Sequence, residues 1–400
     1  MKIEKLDYFG RGVAHINDKV VFVKGALPLE DVEYKIIKEK KKIIEAECIG
    51  INKKSKVRVK PKCKYYEYCG GCSLMHISED DQIEFKKNKV KDILKYNSGE
   101  DVNIENITYD KFYYYRNKIV LHVKDSKLGF YKNKTNELVE IDECLIANKK
   151  INELIKFLKK YLVDKNIEEI MIRVGNITEE VLLSINGDEL EYNSILDKVD
   201  CLIINDKVVS KKGYIISIIG NKKYKVSKDS FFQINEVITE KIYNEVLNTI
   251  KKINSKNVLD LYCGTGTIGI YIADEVYKVT GVEVINSAIE DAMENARFNK
   301  IKNIEFICDK VENIIDKIIS DNIDTVILDP PRAGIHNNVI NSLLKIKPKN
   351  IIYISCNPLT LARDLKLIKK DYEIKKITVY DMFPNTYHVE TVMILEKKDV

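Results

Sequence analysis

No hydrophobic run in the chain reaches membrane-spanning length. Its richest apolar segments are broken by Lys, Asp or Asn well short of the ~20 residues a bilayer requires. The opening Met-Lys-Ile-Glu-Lys-Leu-Asp lacks the apolar stretch of a secretory signal, so a cytoplasmic protein is expected. There is no internal repeat and no low-complexity linker, which argues against solenoid and disordered architectures. Also missing is an even cysteine count: the nine stand at 48, 63, 69, 72, 144, 201, 263, 308 and 356. In a cytoplasmic setting structural disulfides are not expected, so clustered cysteines should bind metal or do chemistry.

What is present is a chain of 400 residues, 45% hydrophobic and 32% charged, long enough for two or three globular domains. The net charge of +5 is unevenly spread. From Lys35 to Lys64, Lys and Arg far outnumber Glu39, Glu45 and Glu47, an excess that suits either a phosphate backbone or a solvated face. Residues 1–55 read as short strands with tight turns, spaced like a small β-barrel of the kind that presents a strand face to nucleic acid. Residues 56–220 read as a central α+β domain with a largely antiparallel sheet, beginning with a cysteine-bearing loop. From 221 to 400 strands and helices alternate regularly and end in a β-hairpin. That pattern indicates an α/β, doubly wound Rossmann-like sheet with one antiparallel strand near its end.

Asp260-Leu-Tyr-Cys-Gly264-Thr-Gly266-Thr-Ile-Gly269 follows an apolar strand and opens a helix, the context in which a glycine turn lets backbone approach a cofactor. Glu283 ends the next strand, where an acidic side chain accepts from ribose hydroxyls. A carboxylate at Asp260 would attract the ammonium of a methionine moiety and repel a pyrophosphate, which favours S-adenosylmethionine over a dinucleotide.

Asp329-Pro-Pro-Arg-Ala-Gly334 lies at the carboxyl end of a strand, with two prolines stiffening the backbone beyond the acid. Cys356 ends the following strand, and Asn357-Pro358 turns into a helix whose dipole is expected to favour the thiolate. Glu390, in His388-Val-Glu-Thr391, is a candidate base. One thiolate and one carboxylate suffice for methylation of a pyrimidine C5: the sulfur adds to C6, C5 becomes nucleophilic, and a base removes the C5 proton so that sulfur can leave. Cys63, Cys69 and Cys72 flank Gly70-Gly71, and Cys144 is a possible fourth ligand. Four thiolates suit zinc or a four-iron cluster, and three close cysteines with one distant partner favour iron–sulfur.

On these residues, together with Tyr115-Arg-Asn-Lys118 and Phe231-Phe-Gln233-x-Asn235, the chain resembles the RNA 5-methyluridine methyltransferases along nearly its whole length. It is most similar to the iron–sulfur-containing 23S ribosomal RNA uracil-C5 type with a TRAM-like amino-terminal barrel. The resemblance implies Cys356 as nucleophile and Glu390 as proton acceptor. It implies Gln233, Tyr262, Glu283 and Asp329 as S-adenosylmethionine contacts, with Asp309 near the adenine by its place after a strand. It further implies a [4Fe-4S] cluster on Cys63, Cys69, Cys72 and Cys144, and a monomer acting on a uridine flipped out of its stack. Arg116 and the run Phe112-Tyr-Tyr-Tyr115 are candidates for stacking on single-stranded RNA. Two rivals stand beside this reading: an amino-group methyltransferase, which would need an aromatic residue where Arg332 stands, and a non-enzymatic RNA-binding or electron-transfer protein.

Overall fold

The structure, a computed structural model, describes residues 1–133, 135–162, 165–188, 191–318 and 322–399. The first strands are β1 (Lys5–Leu6), β2 (Gly12–Ile16), β3 (Lys19–Lys24), β4 (Asp31–Glu39) and β5 (Ile43–Lys53), in one sheet of order β1-β2-β3-β5-β4. Alternation decides its inner face: Val21 and Val23 of β3 and Ile44 and Ala46 of β5 are buried against Ile3, Ala14 and Val32. The lysines of β4 face outward. Buried Glu30 receives Arg58 Nε at 2.5 Å and Nη2 at 2.7 Å, which ties this sheet to the cysteine loop.

Helix α1 (Glu79–Ile93) and strand β6 (Ile107–Thr108) follow, then β7 (Lys118–Lys124), β8 (Lys127–Tyr131), β9 (Leu138–Glu140), α2 (Lys149–Tyr161), β10 (Ile167–Val174), β11 (Val181–Gly187), α3 (Asn193–Leu196), β12 (Cys201–Ile204) and β13 (Lys207–Val208). Strands β7 to β13 form a seven-stranded sheet, antiparallel except for the β11–β12 pair. Asn148 caps α2, which buries Ile151, Leu154, Ile155 and Leu158 on one stripe against that sheet. A separate hairpin, β14 (Tyr214–Ile219) and β15 (Lys222–Ser227), leads into the carboxyl-terminal sheet.

That sheet comprises α4 (Glu236–Ile253), β16 (Asn257–Leu261), α5 (Thr267–Ile272), β17 (Lys278–Glu283), α6 (Asn286–Phe298), β18 (Ile304–Cys308), α7 (Val311–Ile314), β19 (Thr325–Leu328), α8 (Asn337–Ile346), β20 (Asn350–Ser355), α9 (Pro358–Ile368), β21 (Tyr372–Tyr380) and β22 (Glu390–Lys397). Its order is β18-β17-β16-β19-β20-β22-β21-β6. The first five strands are parallel, and β22 inserts antiparallel between β20 and β21. The winding direction reverses between β16 and β19, where open α/β sheets leave a crevice at their carboxyl ends.

The eighth strand is supplied from far upstream, since Ile107–Thr108 pairs in parallel with Val379–Tyr380. Its helix comes with it: Val90, Ile93 and Leu94 join the core formed by Leu361, Leu365 and Ile368 of α9. Lys86 and Asp381 are both fully buried and paired at 2.5 Å, and Lys86 Nζ also donates to the Phe383 carbonyl at 3.1 Å. Buried Asn385 exchanges hydrogen bonds with Gln82 at 3.0 and 3.3 Å. Helix α1 thereby grips the loop that enters β22.

A buried charge stripped of its partner costs about 3–5 kcal/mol. Lys86→Met is expected to destabilise the protein by that order in chemical denaturation, and adding Asp381→Asn should recover much of the loss. An unchanged denaturation midpoint in Lys86→Met would contradict this role for the pair.

Candidate active site

At the carboxyl end of β16 the chain turns through Tyr262 (φ 63°), Gly264 (φ 54°) and Gly266 (φ 71°). A Cβ built on Gly266 would stand 2.7 Å from the Phe306 ring, so glycine is required there, whereas one on Gly264 meets nothing within 4 Å. Gly264 therefore borders open space. Asp260, expected from the sequence to meet an ammonium, is completely buried beneath the loop. Its Oδ2 accepts from the Gly269 amide at 3.1 Å, bracing the start of α5, while Oδ1 has no partner. Burial first, then the charge of Asp329, pushes its carboxyl up to about 8.

Glu283 lies across this loop. Its Oε2 accepts from the Gly264 amide at 3.2 Å and its Oε1 from Val284 and Ile285 at 2.8 and 3.0 Å. A carboxylate has about four acceptor positions, so Oε2 retains one. Asp309 follows β18 beside Glu283, donating its amide to the Glu283 carbonyl at 3.1 Å. Its side chain accepts from Lys310 N and Asn313 Nδ2. Gln233 sits in the turn before α4, where its carbonyl accepts from Asn117 Nδ2 at 3.1 Å. Arg116 and Tyr115 are directed elsewhere: Arg116 Nε donates to the Lys118 carbonyl, and buried Tyr115 donates its hydroxyl to Pro384 O at 2.9 Å.

Asp329, Cys356 and Glu390 meet at the ends of β19, β20 and β22. In the antiparallel ladder Ser355 is opposite Thr391, which sets Cys356 beside Glu390. The loop after Asp329 is braced by α9. Asn357 Nδ2 donates to the Arg332 carbonyl at 3.0 Å, and Arg363 Nη2 to Ala333 O at 3.0 Å. Buried Asp364 accepts from the Ile335 amide at 2.9 Å and from the Tyr353 hydroxyl at 2.8 Å. Asn357 also caps α9, its Oδ1 accepting from Leu359 N at 3.2 Å.

The thiol's protonation overturns the expectation from the helix dipole. The Cys356 thiol is pushed up to about 11, by burial, then by Glu390 and Asp329, with Arg332 only partly opposing them. Burial, reinforced by the two neighbouring carboxyl groups, outweighs the half-charge of a helix end already capped by Asn357. Burial raises the carboxyl of Asp329 to about 7, and that of Glu390 well above the usual range. The cleft thus holds three acids that resist ionising together, with Arg332 as the opposing cation. Reading the sequence placed Arg332 in the Asp-Pro-Pro motif and Asn357 at the helix entry without giving either a role in the cleft, and it did not name Asp364. The Arg directly after Pro-Pro was a usable signal, whereas a buried Asp on an amphipathic helix carries none.

Cys63, Cys69, Cys72 and Cys144 line a single cavity of about 520 Å³. Burial, and then mutual repulsion, raises the Cys72 thiol, and burial takes Cys144 to about 11. Gly70 is needed where the loop passes the Asn133 backbone, 2.9 Å from a Cβ placed there. Among the described residues no group of three or more His, Cys, Asp or Glu side chains is arranged to hold a metal ion. The four thiols share a cavity without being gathered around one point.

A family model described as tRNA (Uracil-5-)-methyltransferase matches residues 200–398. Proteins described as uncharacterized RNA methyltransferases from Clostridium tetani (strain Massachusetts / E88) and Staphylococcus aureus (strain MSSA476) are each 35% identical to the chain. The two matches cover 96% and 98% of it, and 93% and 96% of the relatives. Among solved structures, Pyrococcus abyssi tRNA (uracil-54, C5)-methyltransferase in complex with S-adenosyl-L-homocysteine superposes with a TM-score of 0.82. Its sequence identity is 28%, and the match covers 99% of both chains.

A thiol raised to about 11 is almost wholly protonated at neutral pH. Alkylation of the Cys356 peptide by iodoacetamide, followed by mass spectrometry, is therefore expected to be slow at pH 7 and to accelerate about tenfold per pH unit up to pH 10. A rate already saturated at pH 7 would contradict this electrostatic picture.

Proposed function

The chain belongs to the RNA 5-methyluridine methyltransferase family, and from that premise we propose that it methylates C5 of a uridine in RNA, with Cys356 as nucleophile and Glu390 as the base. The observation that carries this reading is the meeting of Cys356 and Glu390 across one antiparallel ladder, with Asp329 on the neighbouring strand.

The loop suits S-adenosylmethionine. Gly264 borders open space, Tyr262 holds a left-handed backbone turn that a non-glycine residue rarely adopts, and Glu283 keeps an acceptor position for a ribose hydroxyl. Gln233, Tyr262, Glu283 and Asp329 would hold it, with Asp260 fixing the loop from below. When bound, it supplies an electrophilic methyl on a cationic sulfonium. Asp329, among the residues that would hold it, would then face a positive charge, and the carboxyl contribution to the raised Cys356 thiol would be offset.

The Cys356 thiolate then forms a bond to uracil C6, and the C5–C6 π electrons move into an enolate. With the donor held there, C5 would take its methyl as the methyl–sulfonium bond breaks, the electron pair staying on sulfur to leave a neutral thioether. Glu390 accepts the C5 proton, the C5–C6 double bond re-forms, and the C6–S bond breaks to release the thiolate. The uridine must leave its stack, because its C6 is not reachable within a helix.

We further propose residues 1–55 as a TRAM-like RNA-binding barrel, 56–220 as a central domain and 221–400 as the methyltransferase domain. On the same reading, Cys63, Cys69, Cys72 and Cys144 hold a [4Fe-4S] cluster. What supports this is the donor set, four half-buried cysteine sulfurs lining one cavity. Bound iron would take the four as thiolates. By the resemblance of its sequence we propose 23S ribosomal RNA, acted on by a monomer, as the substrate; transfer RNA is the rival, because the tRNA (uracil-54, C5)-methyltransferase aligns with 99% of this chain, the amino-terminal sheet and cysteine loop included. No helix among the described residues is long and apolar enough to cross a membrane.

Two experiments test these assignments. Cys356→Ser should transfer no methyl group to RNA, whereas Glu390→Gln should complete about one methyl transfer per enzyme and then stall with RNA attached. Multiple turnovers by either variant would refute its assigned role. Anaerobically purified protein should contain iron and sulfide in about four-to-four ratio, lost in Cys72→Ser. Stoichiometric zinc in the unaltered chain would refute the cluster.

A further inference from the structure

The turn between β1 and β2 projects from the amino-terminal sheet onto the loop that carries the catalytic base. Asp7 builds it: Oδ1 accepts from the Phe9 and Arg11 amides at 2.9 and 2.8 Å, and Oδ2 from Arg11 Nε at 2.8 Å. Gly10 (φ 76°) seats the turn against Leu74, whose Cδ2 would lie 2.4 Å from any Cβ there. So fixed, Phe9 meets Tyr387 at 5.3 Å between ring centroids and 80° between planes. The Tyr387 ring lies tilted against that of His388 at 4.2 Å, and Lys89 both donates to the Tyr387 carbonyl at 2.8 Å and lies 5.1 Å from the Tyr387 ring. Arg11 stands 5.5 Å from the Phe9 ring and 4.3 Å from that of Phe22.

Tyr387 is thus gripped by its neighbours, yet Phe9 remains 48% exposed. Hydrophobic burial does not account for a large aromatic ring held rigidly at the surface beside a guanidinium. Tyr387 stands three residues before Glu390, so Phe9 packs on the segment that leads into the strand bearing the base. Rigid aromatics flanked by Arg are how proteins hold unpaired bases without reading them.

We propose that Phe9 and Arg11 form a seat on which an unpaired nucleobase adjacent to the target uridine stacks, holding the strand while the uridine is extruded. This rests on the reading of RNA as substrate, and makes a barrel residue part of the substrate site.

The test uses the full chain and a 23S ribosomal RNA fragment that it methylates, with 2-aminopurine placed on either side of the target uridine in turn. Loss of one stacked base corresponds to about a tenfold weaker interaction. Phe9→Ala should therefore raise KM for RNA about tenfold with kcat at saturating RNA retained, and abolish quenching of one 2-aminopurine. Phe9→Trp should restore both. Unchanged KM and quenching in Phe9→Ala would overturn the seat. So would a raised KM with intact quenching, or no rescue by Trp, since those mark a residue that only docks the barrel. Absence of 5-methyluridine with the unaltered chain on ribosomal and transfer RNA alike would instead overturn the underlying reading, and the seat with it.

Discussion

The insertion of β22 between β20 and β21 is the constraint on which the site depends. A parallel sheet ending at β20 would leave Cys356 at a strand tip with no partner on one side. The antiparallel strand brings a second chain direction to the same edge, and its register, Ser355 against Thr391, places Glu390 beside the thiol. A slip of one residue would turn the carboxylate to the opposite face. Lys86, Gln82 and Asn385 guard that register from the other end, because they clamp the loop from which β22 starts.

The electrostatics follow from the same convergence. Asp329, Cys356 and Glu390 are close, enclosed and mutually unfavourable when ionised, with Arg332 as the opposing cation. A cleft of that kind is quiescent when empty and is suited to a positively charged ligand. On the proposed mechanism, nucleophile and base would become available in the presence of the methyl donor, which would limit unproductive reaction of the thiol. The cysteine loop shares this frame: Ser73 and Leu74 donate to the Asn385 carbonyl at 2.9 Å, and Ser73 Oγ accepts from Tyr387 N at 3.0 Å. Order in the loop after Cys72 is therefore order in the loop before Glu390.

Much of this was legible because strand ends advertise themselves. Asp329, Cys356 and the glycine turn each follow a short apolar run, and the alternation of strands and helices after residue 221 marks a doubly wound sheet. The rest lacked a local signal. Ile107–Thr108 is too short to read as a strand, and its pairing with Val379–Tyr380 joins distant parts of the chain. Lys86 and Asp381 are 295 residues apart, and each alone reads as a surface charge. Burial of Asp260 depends on how the loop folds over it. The elevated thiol depends on its burial in the folded cleft and then on carboxyl groups brought in by two other strands, so a helix-end argument made from Cys356 alone had the wrong sign.

The central claim is that one particular thiol becomes covalently joined to RNA during turnover. RNA substituted with 5-fluorouridine lacks the C5 proton that the base must remove, so the adduct should persist after methyl transfer. Incubated with the protein and S-adenosylmethionine, then digested and sequenced by mass spectrometry, it should be found attached to the peptide containing Cys356. Attachment at Cys263 or another residue, or efficient methylation with no adduct, would contradict the account.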